Sequence, residues 1–120
     1  MNSPIYFFDS YAIAKFLVGD PAYAKYENAH GILTIFNLAE LNWAFKRDNK
    51  MMADQLVKQY ASIQVPVEPE DIPIAMDLRL QNRALSIPDV IGYTVAGRYG
   101  IPFLTGDKGF EYLENVEFVK

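Results

Sequence analysis

Four carboxylates carry most of the chemical potential of this sequence: Asp9, Glu40, Asp89 and Asp107. Asp9 closes the apolar run Ile5-Tyr6-Phe7-Phe8, and Asp107 follows Phe103-Leu104-Thr105-Gly106. Short apolar runs suit buried parallel strands. Ligands of open parallel sheets bind outside the carboxyl ends of the strands. Two acids distant in the chain are therefore expected on one sheet edge. Glu40 falls in the first turn of a helix predicted over 37–47, after a strand, and so joins that edge. Asp89 opens a helix predicted over 88–99 that follows another helix, so its position at the edge is the least constrained of the four. Four carboxylates within a few ångströms would repel one another unless neutralised. Hard divalent cations, Mg²⁺ or Mn²⁺, are their natural partners. Such ions held by carboxylates suit phosphodiester hydrolysis.

The charge balance agrees. Lys and Arg number 11 against 15 Asp and Glu, a net charge of −4. Without the four acids above, 11 acids remain against 11 bases, so the rest of the surface is neutral on balance. A wholly basic nucleic-acid clamp is excluded, but a nuclease with a local site is not. With no cysteine, disulfide scaffolds, zinc-thiolate sites, iron–sulfur clusters and thiol nucleophiles are excluded. A single histidine, His30, excludes a multi-histidine metal site within one chain and leaves no nucleophile–histidine pair. The 120 residues, 51% of them hydrophobic, suit one domain rather than a disordered chain. No run reaches the ~18 apolar residues of a membrane span, and 5–18 lacks the marks of a signal peptide. A soluble cytoplasmic protein is expected.

The elements that must position the acids alternate. Strands are predicted at 5–8, 31–35, 63–67, 103–105 and 116–119, the third as a sheet edge because of Pro66. Helices are predicted over 10–18, 22–29, 37–47, 51–62, 69–84 and 88–99. In the third of these, Leu38, Leu41 and Phe45 form a core stripe. This alternation indicates an α/β fold with a mostly parallel sheet between helices.

Four segments then resemble the four motifs of the PIN domain family, in order and at appropriate spacing. They are Ile5-Tyr6-Phe7-Phe8-Asp9-Ser10, Asn37-Leu38-Ala39-Glu40-Leu41, Ser86-Ile87-Pro88-Asp89-Val90-Ile91-Gly92-Tyr93-Thr94-Val95-Ala96 and Phe103-Leu104-Thr105-Gly106-Asp107-Lys108-Gly109-Phe110. The nearest subgroup is that of small VapC-like ribonuclease toxins. The resemblance implies a single domain over 1–120, a three-layer α/β/α sandwich with a central parallel five-stranded sheet. It also implies Mg²⁺- or Mn²⁺-dependent cleavage of single-stranded RNA, homodimerisation and a small antitoxin protein as partner. Asp9, Glu40, Asp89 and Asp107 match its acidic quartet, catalytic and metal-ligating; Ser10 and Thr105 match its accessory hydroxyls. Asn37 departs from the small hydroxyl residue common near Glu40.

Singly, each acid has an ordinary explanation. Asp9 and Ser10 can cap a helix, Asp89 suits a first helical turn, Glu40 a solvated face and Asp107 a turn. Their ordered co-occurrence favours the site. Lys15, Lys46, Arg47 and Lys108 are candidates for phosphate contact, although solvated-face charges by default. Trp43, Phe45 and Tyr93 read as core or interface aromatics. The alternative function is a PIN-like module that binds RNA or protein through a partner without cleaving. A haloacid-dehalogenase-like phosphatase would want an acid where Tyr11 stands, and a receiver domain one where Phe8 stands.

Overall fold

The computed structural model describes residues 4–120. Its sheet has four parallel strands: β1 (Ile5–Phe8), β2 (His30–Ile32), β3 (Phe103–Thr105) and β4 (Val116–Phe118), in the order β2-β1-β3-β4. Five helices surround it: α1 (Ser10–Leu17), α2 (Ile35–Arg47), α3 (Ala53–Tyr60), α4 (Asp71–Gln81) and α5 (Ile87–Arg98). The chain leaves β1 toward β2 on one side and returns to β3 on the other. The crevice between the ends of β1 and β3 is therefore the switch point of the sheet.

Alternation along the central strands divides the core into two layers. Phe7 and Phe103 are register partners, stack at 5.3 Å, and face a cluster with Ala75, Val90, Ile91 and Val95 from α4 and α5. Phe8 and Leu104, the next pair, face Ala12, Ile13, Leu38 and Leu41 from α1 and α2. Each fully buried Phe or Leu contributes about 1.5–3 kcal/mol, so a one-residue slip between β1 and β3 would empty both layers at once. This is the expected three-layer α/β/α arrangement.

The fifth strand is not present as a strand. Segment 63–67 meets β2's extension through a single parallel bridge, Leu33 to Gln64, with Val65 N–H donating to Leu33 O at 2.8 Å. Pro66 has no N–H to offer, so the ladder stops there. Its carbonyl instead accepts from Arg98 at 2.8 Å. Arg98 also grips the buried carboxylate of Asp71 at 2.9 and 3.0 Å, joining the ends of α4 and α5. It is thus a structural cation.

Other elements differ in detail. The helix expected over 22–29 is a 3-10 turn, Pro21–Tyr26, whose buried Tyr23 and Tyr26 are three residues apart and share one side. β2 begins at His30, one residue before the strand expected from position 31. The chain expected as strand through Ile35 turns helical at that residue. Thr34 caps α2 there, its N–H and hydroxyl both donating to Asn37 Oδ1 at 2.9 and 3.0 Å. Glu40 consequently lies in the second turn of α2, not the first. No helix among the described residues is long and apolar enough to cross a membrane.

Candidate functional site

Asp9 stands where β1 ends and α1 begins. Its amide donates to Leu104 O at 3.1 Å, extending the strand pairing by one residue, and its side chain caps α1 by accepting from Ser10 N–H at 2.9 Å. The other carboxylate oxygen accepts from the fully buried Thr105 hydroxyl at 2.7 Å. Thr105 Oγ1 in turn accepts from Asp107 N–H at 3.1 Å, so one hydroxyl ties the first acid to the loop that carries the last. Gly106, between them, lies close to the Val119 carbonyl, the Tyr11 ring and the Tyr23 hydroxyl.

Glu40 reaches the same place from α2. Ser10 Oγ donates to its Oε1 at 2.9 Å and itself accepts from Asn37 Nδ2 at 3.2 Å. Asn37 was noted only as a departure from pattern. It is 3% exposed and holds Ser10 toward Glu40. The signal available beforehand was its i, i+3 spacing to both Thr34 and Glu40, which puts a cap and a site residue on one helix face.

Asp89 arrives because Pro88 and Ser86 start α5 beside the strand ends. Asp89 and Ser86 form a reciprocal capping box, Ser86 N–H to Asp89 Oδ2 at 2.9 Å and Asp89 N–H to Ser86 Oγ at 3.2 Å. The capping explanation and the site placement thus hold together, because capping uses one carboxylate oxygen. Asp107 similarly accepts from Gly109 N–H through Oδ1 at 3.0 Å. All four acids line one cleft of about 360 Å³, together with Ser10, Tyr11, Ala14, Leu41, Trp43, Ala44 and Phe45.

The electrostatics are those of uncompensated negative charge. No Lys, Arg or His among the described residues lies within ion-pair distance of any of the four. Burial, and then repulsion from Asp89 and Glu40, push the Asp9 carboxyl up to about 7 against the pull of Thr105 and Ser10. Burial raises Glu40 as well, despite the Ser10 hydrogen bond, with Asp89 adding repulsion. Asp89 is raised by burial and by Asp107, against its bonds to Ser86. Glu40, Asp89 and Asp107 each keep one oxygen with no hydrogen bond among the described residues. Unpaired carboxylate oxygens facing a cleft without a cation form a donor set that fits a hard divalent ion. No three acidic or imidazole side chains among the described residues are drawn into a ready-made ion cage. The carboxylates line the walls of the cleft rather than close on one point.

The four basic candidates do not line the cleft. Lys15 pairs with Asp20 at 3.5 Å, Lys46 with Asp54 at 3.0 Å and Arg47 with Asp48 at 3.2 Å. Lys108 is exposed on the short 3-10 turn after Asp107. Tyr93 packs on Phe103 and Phe110 as a core aromatic, whereas Trp43 is 65% exposed.

Comparison with solved structures finds a similar fold in a chain of a toxin–antitoxin complex from Klebsiella pneumoniae. The match covers 95% of both chains with a TM-score of 0.74 and 15% identity. No curated protein matches at significant similarity. The PIN domain family matches residues 6–116, a span that contains all four acids, β3, all but the first residue of β1 and the crevice between them. With the parallel sheet, its helical layers and the ordered acids already in place, that match shows that the chain belongs to the PIN domain family.

Proposed function

We propose that this single PIN domain is a metal-dependent endoribonuclease that hydrolyses phosphodiester bonds of single-stranded RNA, and that it acts as the toxin of a toxin–antitoxin pair. One observation carries the reading: four carboxylates from four separate elements line one cleft at the switch point of a parallel sheet, with no side-chain cation to balance them. Family membership supports it, since PIN domains are generally nucleases that use divalent metals. The similarity in fold to a chain of a toxin–antitoxin complex supports the biological setting.

Asp9, Glu40, Asp89 and Asp107 would hold one or two Mg²⁺ or Mn²⁺ ions, directly or through water, and an ion so held would supply Lewis-acid activation of water and charge stabilisation at the phosphate. Glu40 orients or deprotonates the attacking water through the carboxylate oxygen that no hydrogen bond occupies. Ser10 fixes the Glu40 carboxylate, and Thr105 holds Asp9 and the Asp107 loop in register. Lys108 is the member of the basic group best placed for a phosphate, being exposed and without an ion pair among the described residues. The products carry 5′-phosphate and 3′-hydroxyl ends. The active protein is a homodimer in the cytoplasm, held inactive by an antitoxin.

The test is cleavage of end-labelled single-stranded RNA with Mg²⁺, with Mn²⁺ and with EDTA, with Asp107→Asn protein run beside the parent. Cutting that requires metal and disappears in the variant is the expected result. Equal cutting by both proteins would assign the activity elsewhere. RNA binding that persists without any metal-dependent cutting would replace the nuclease with a non-cleaving binding module.

Ser10→Ala separates positioning from ligation. It removes the donor to Glu40 Oε1 and the acceptor for Asn37 while leaving every carboxylate in place. Supporting hydrogen bonds around metal ligands are worth roughly 10–100-fold in activity or metal affinity. A fall of that size in kcat/KM, recovered in Ser10→Thr, is expected. No change in Ser10→Ala would remove Ser10 from the machinery.

A further inference from the structure

The cleft that holds the acids is mostly apolar on its other wall. Tyr11 and Ala14 from α1 line it together with Trp43, Ala44 and Phe45 from α2. Glu40 and Trp43 are three residues apart on one helix, so they share a face with ~4.5 Å of rise between them. Trp43 is 65% exposed in a fold that buries its other central aromatics, and it is the chain's only tryptophan. Cations that could grip a phosphate backbone are scarce here. Lys15, Lys46 and Arg47, on the same two helices, are each engaged by an acid. The Lys15 ammonium lies against the Tyr11 ring, 5.5 Å from its centre. None of the three cations lines the cleft, so along this wall affinity must come from a contact other than charge. A flat, exposed indole beside the acids supplies it, because every unpaired base has a face to stack and stacking is indifferent to charge.

We propose that Trp43, flanked by Tyr11, is a stacking platform for an unpaired base of the substrate next to the scissile phosphate. The proposal rests on the nuclease reading above and adds to it the group that holds the RNA. The occupant is a nucleobase rather than a protein side chain because the shelf is continuous with the carboxylates in one cleft.

As the only tryptophan, Trp43 reports on its own surroundings. Its fluorescence, excited where tyrosine does not absorb, is titrated in EDTA with a short single-stranded oligoribonucleotide and with an abasic sugar–phosphate oligomer of equal length. Quenching by the first and none by the second is expected. In the cleavage assay, Trp43→Ala lowers kcat/KM about 10-fold. The loss falls mainly on KM, Trp43→Phe restores most of it, and the melting temperature stays unchanged because the ring is exposed. Parent-like KM in Trp43→Ala overturns the platform and leaves the nuclease standing. Unchanged cleavage together with escape from inhibition by a co-expressed antitoxin assigns the shelf to a protein and overturns it equally. Quenching by RNA in a parent that never cuts rejects the nuclease and keeps the platform. The absence of both rejects both.

Discussion

Asp9→Asn protein is expected to lose RNA cleavage by about 10³-fold and yet to melt at a higher temperature than the parent at about pH 8 without divalent metal. The two effects have one cause. Asp9 is 4% exposed, beside two other acids, and its carboxyl is pushed up to about 7, first by burial and then by Asp89 and Glu40. An unfolded Asp titrates near 3.8. Between these values the folded chain holds a proton that the unfolded chain has released. Stability therefore falls as pH rises from about 4 to about 7, and the full penalty applies above that. Asparagine carries no charge at any of these pH values. Its carbonyl still accepts from Ser10 N–H, and its amide can donate to Thr105 Oγ1, which then points its own proton elsewhere. The substitution should add about 2–4 kcal/mol at about pH 8, seen as a rise of several degrees in Tm, and almost nothing at about pH 4. Millimolar Mg²⁺ should raise the Tm of the parent, since an ion bound only by the folded state stabilises it. It should leave Asp9→Asn nearly unmoved. Thermal melts at the two pH values check the stability claim, and the labelled-RNA assay checks the activity. A variant that melts below the parent at high pH would show that the carboxylate is compensated in the fold.

Gly106→Ala is expected to cost about 3 kcal/mol and to take cleavage down with it. A methyl group at this position would lie well inside contact distance of the Val119 carbonyl and the Tyr11 ring, and 2.7 Å from the Tyr23 hydroxyl. That carbonyl is the one Tyr23 donates to, so the methyl strikes a tether between the first 3-10 turn and the end of β4. The obstruction is partly backbone and cannot be cleared by a rotamer change. Gly106 also separates Thr105 from Asp107, so relief of the clash displaces an acid and the hydroxyl that holds Asp9. Gly109→Ala is the contrast. Its methyl meets mainly a Leu85 methyl at 2.6 Å, the far end of a flexible side chain, and a smaller loss is expected. Denaturant melts of the two variants, with kcat measured well below either midpoint, test the difference. Equal stability losses would sink the argument from backbone contact.

Much of the fold was legible because its signals are local. β1 and β3 match their expected residues exactly, and α1, α2 and α5 to within two at either end, since apolar runs, caps and Gly–Pro stops lie within each element. The segment at 63–67 was misread because its apolar residues do resemble a strand. Its pairing depends on an N–H that Pro66 lacks and on Arg98 claiming the Pro66 carbonyl from 32 residues away. Among site residues, Asp9, Glu40 and Asp107 were placed by the rule of strand ends. Asp89 could not be, because a helix precedes it: Ser86 and Pro88 fix where α5 begins, but only its packing on α4 and β1 sets that start beside the strand ends. Asn37 was passed over because its role lies in a bond to Ser10, 27 residues earlier.

The sequence by itself therefore determined the alternation that makes a parallel sheet between helical layers, the order of four acids, and the need of any cluster they form for a cation. Each of these follows from residue type and short-range spacing. Tertiary structure alone decided that Asp89 joins the other three, that Trp43 is left bare beside the acids, and that Asp9 is driven toward neutral pH. Those outcomes depend on distances between groups remote in the chain and on the water excluded between them, and neither quantity exists until the chain has folded.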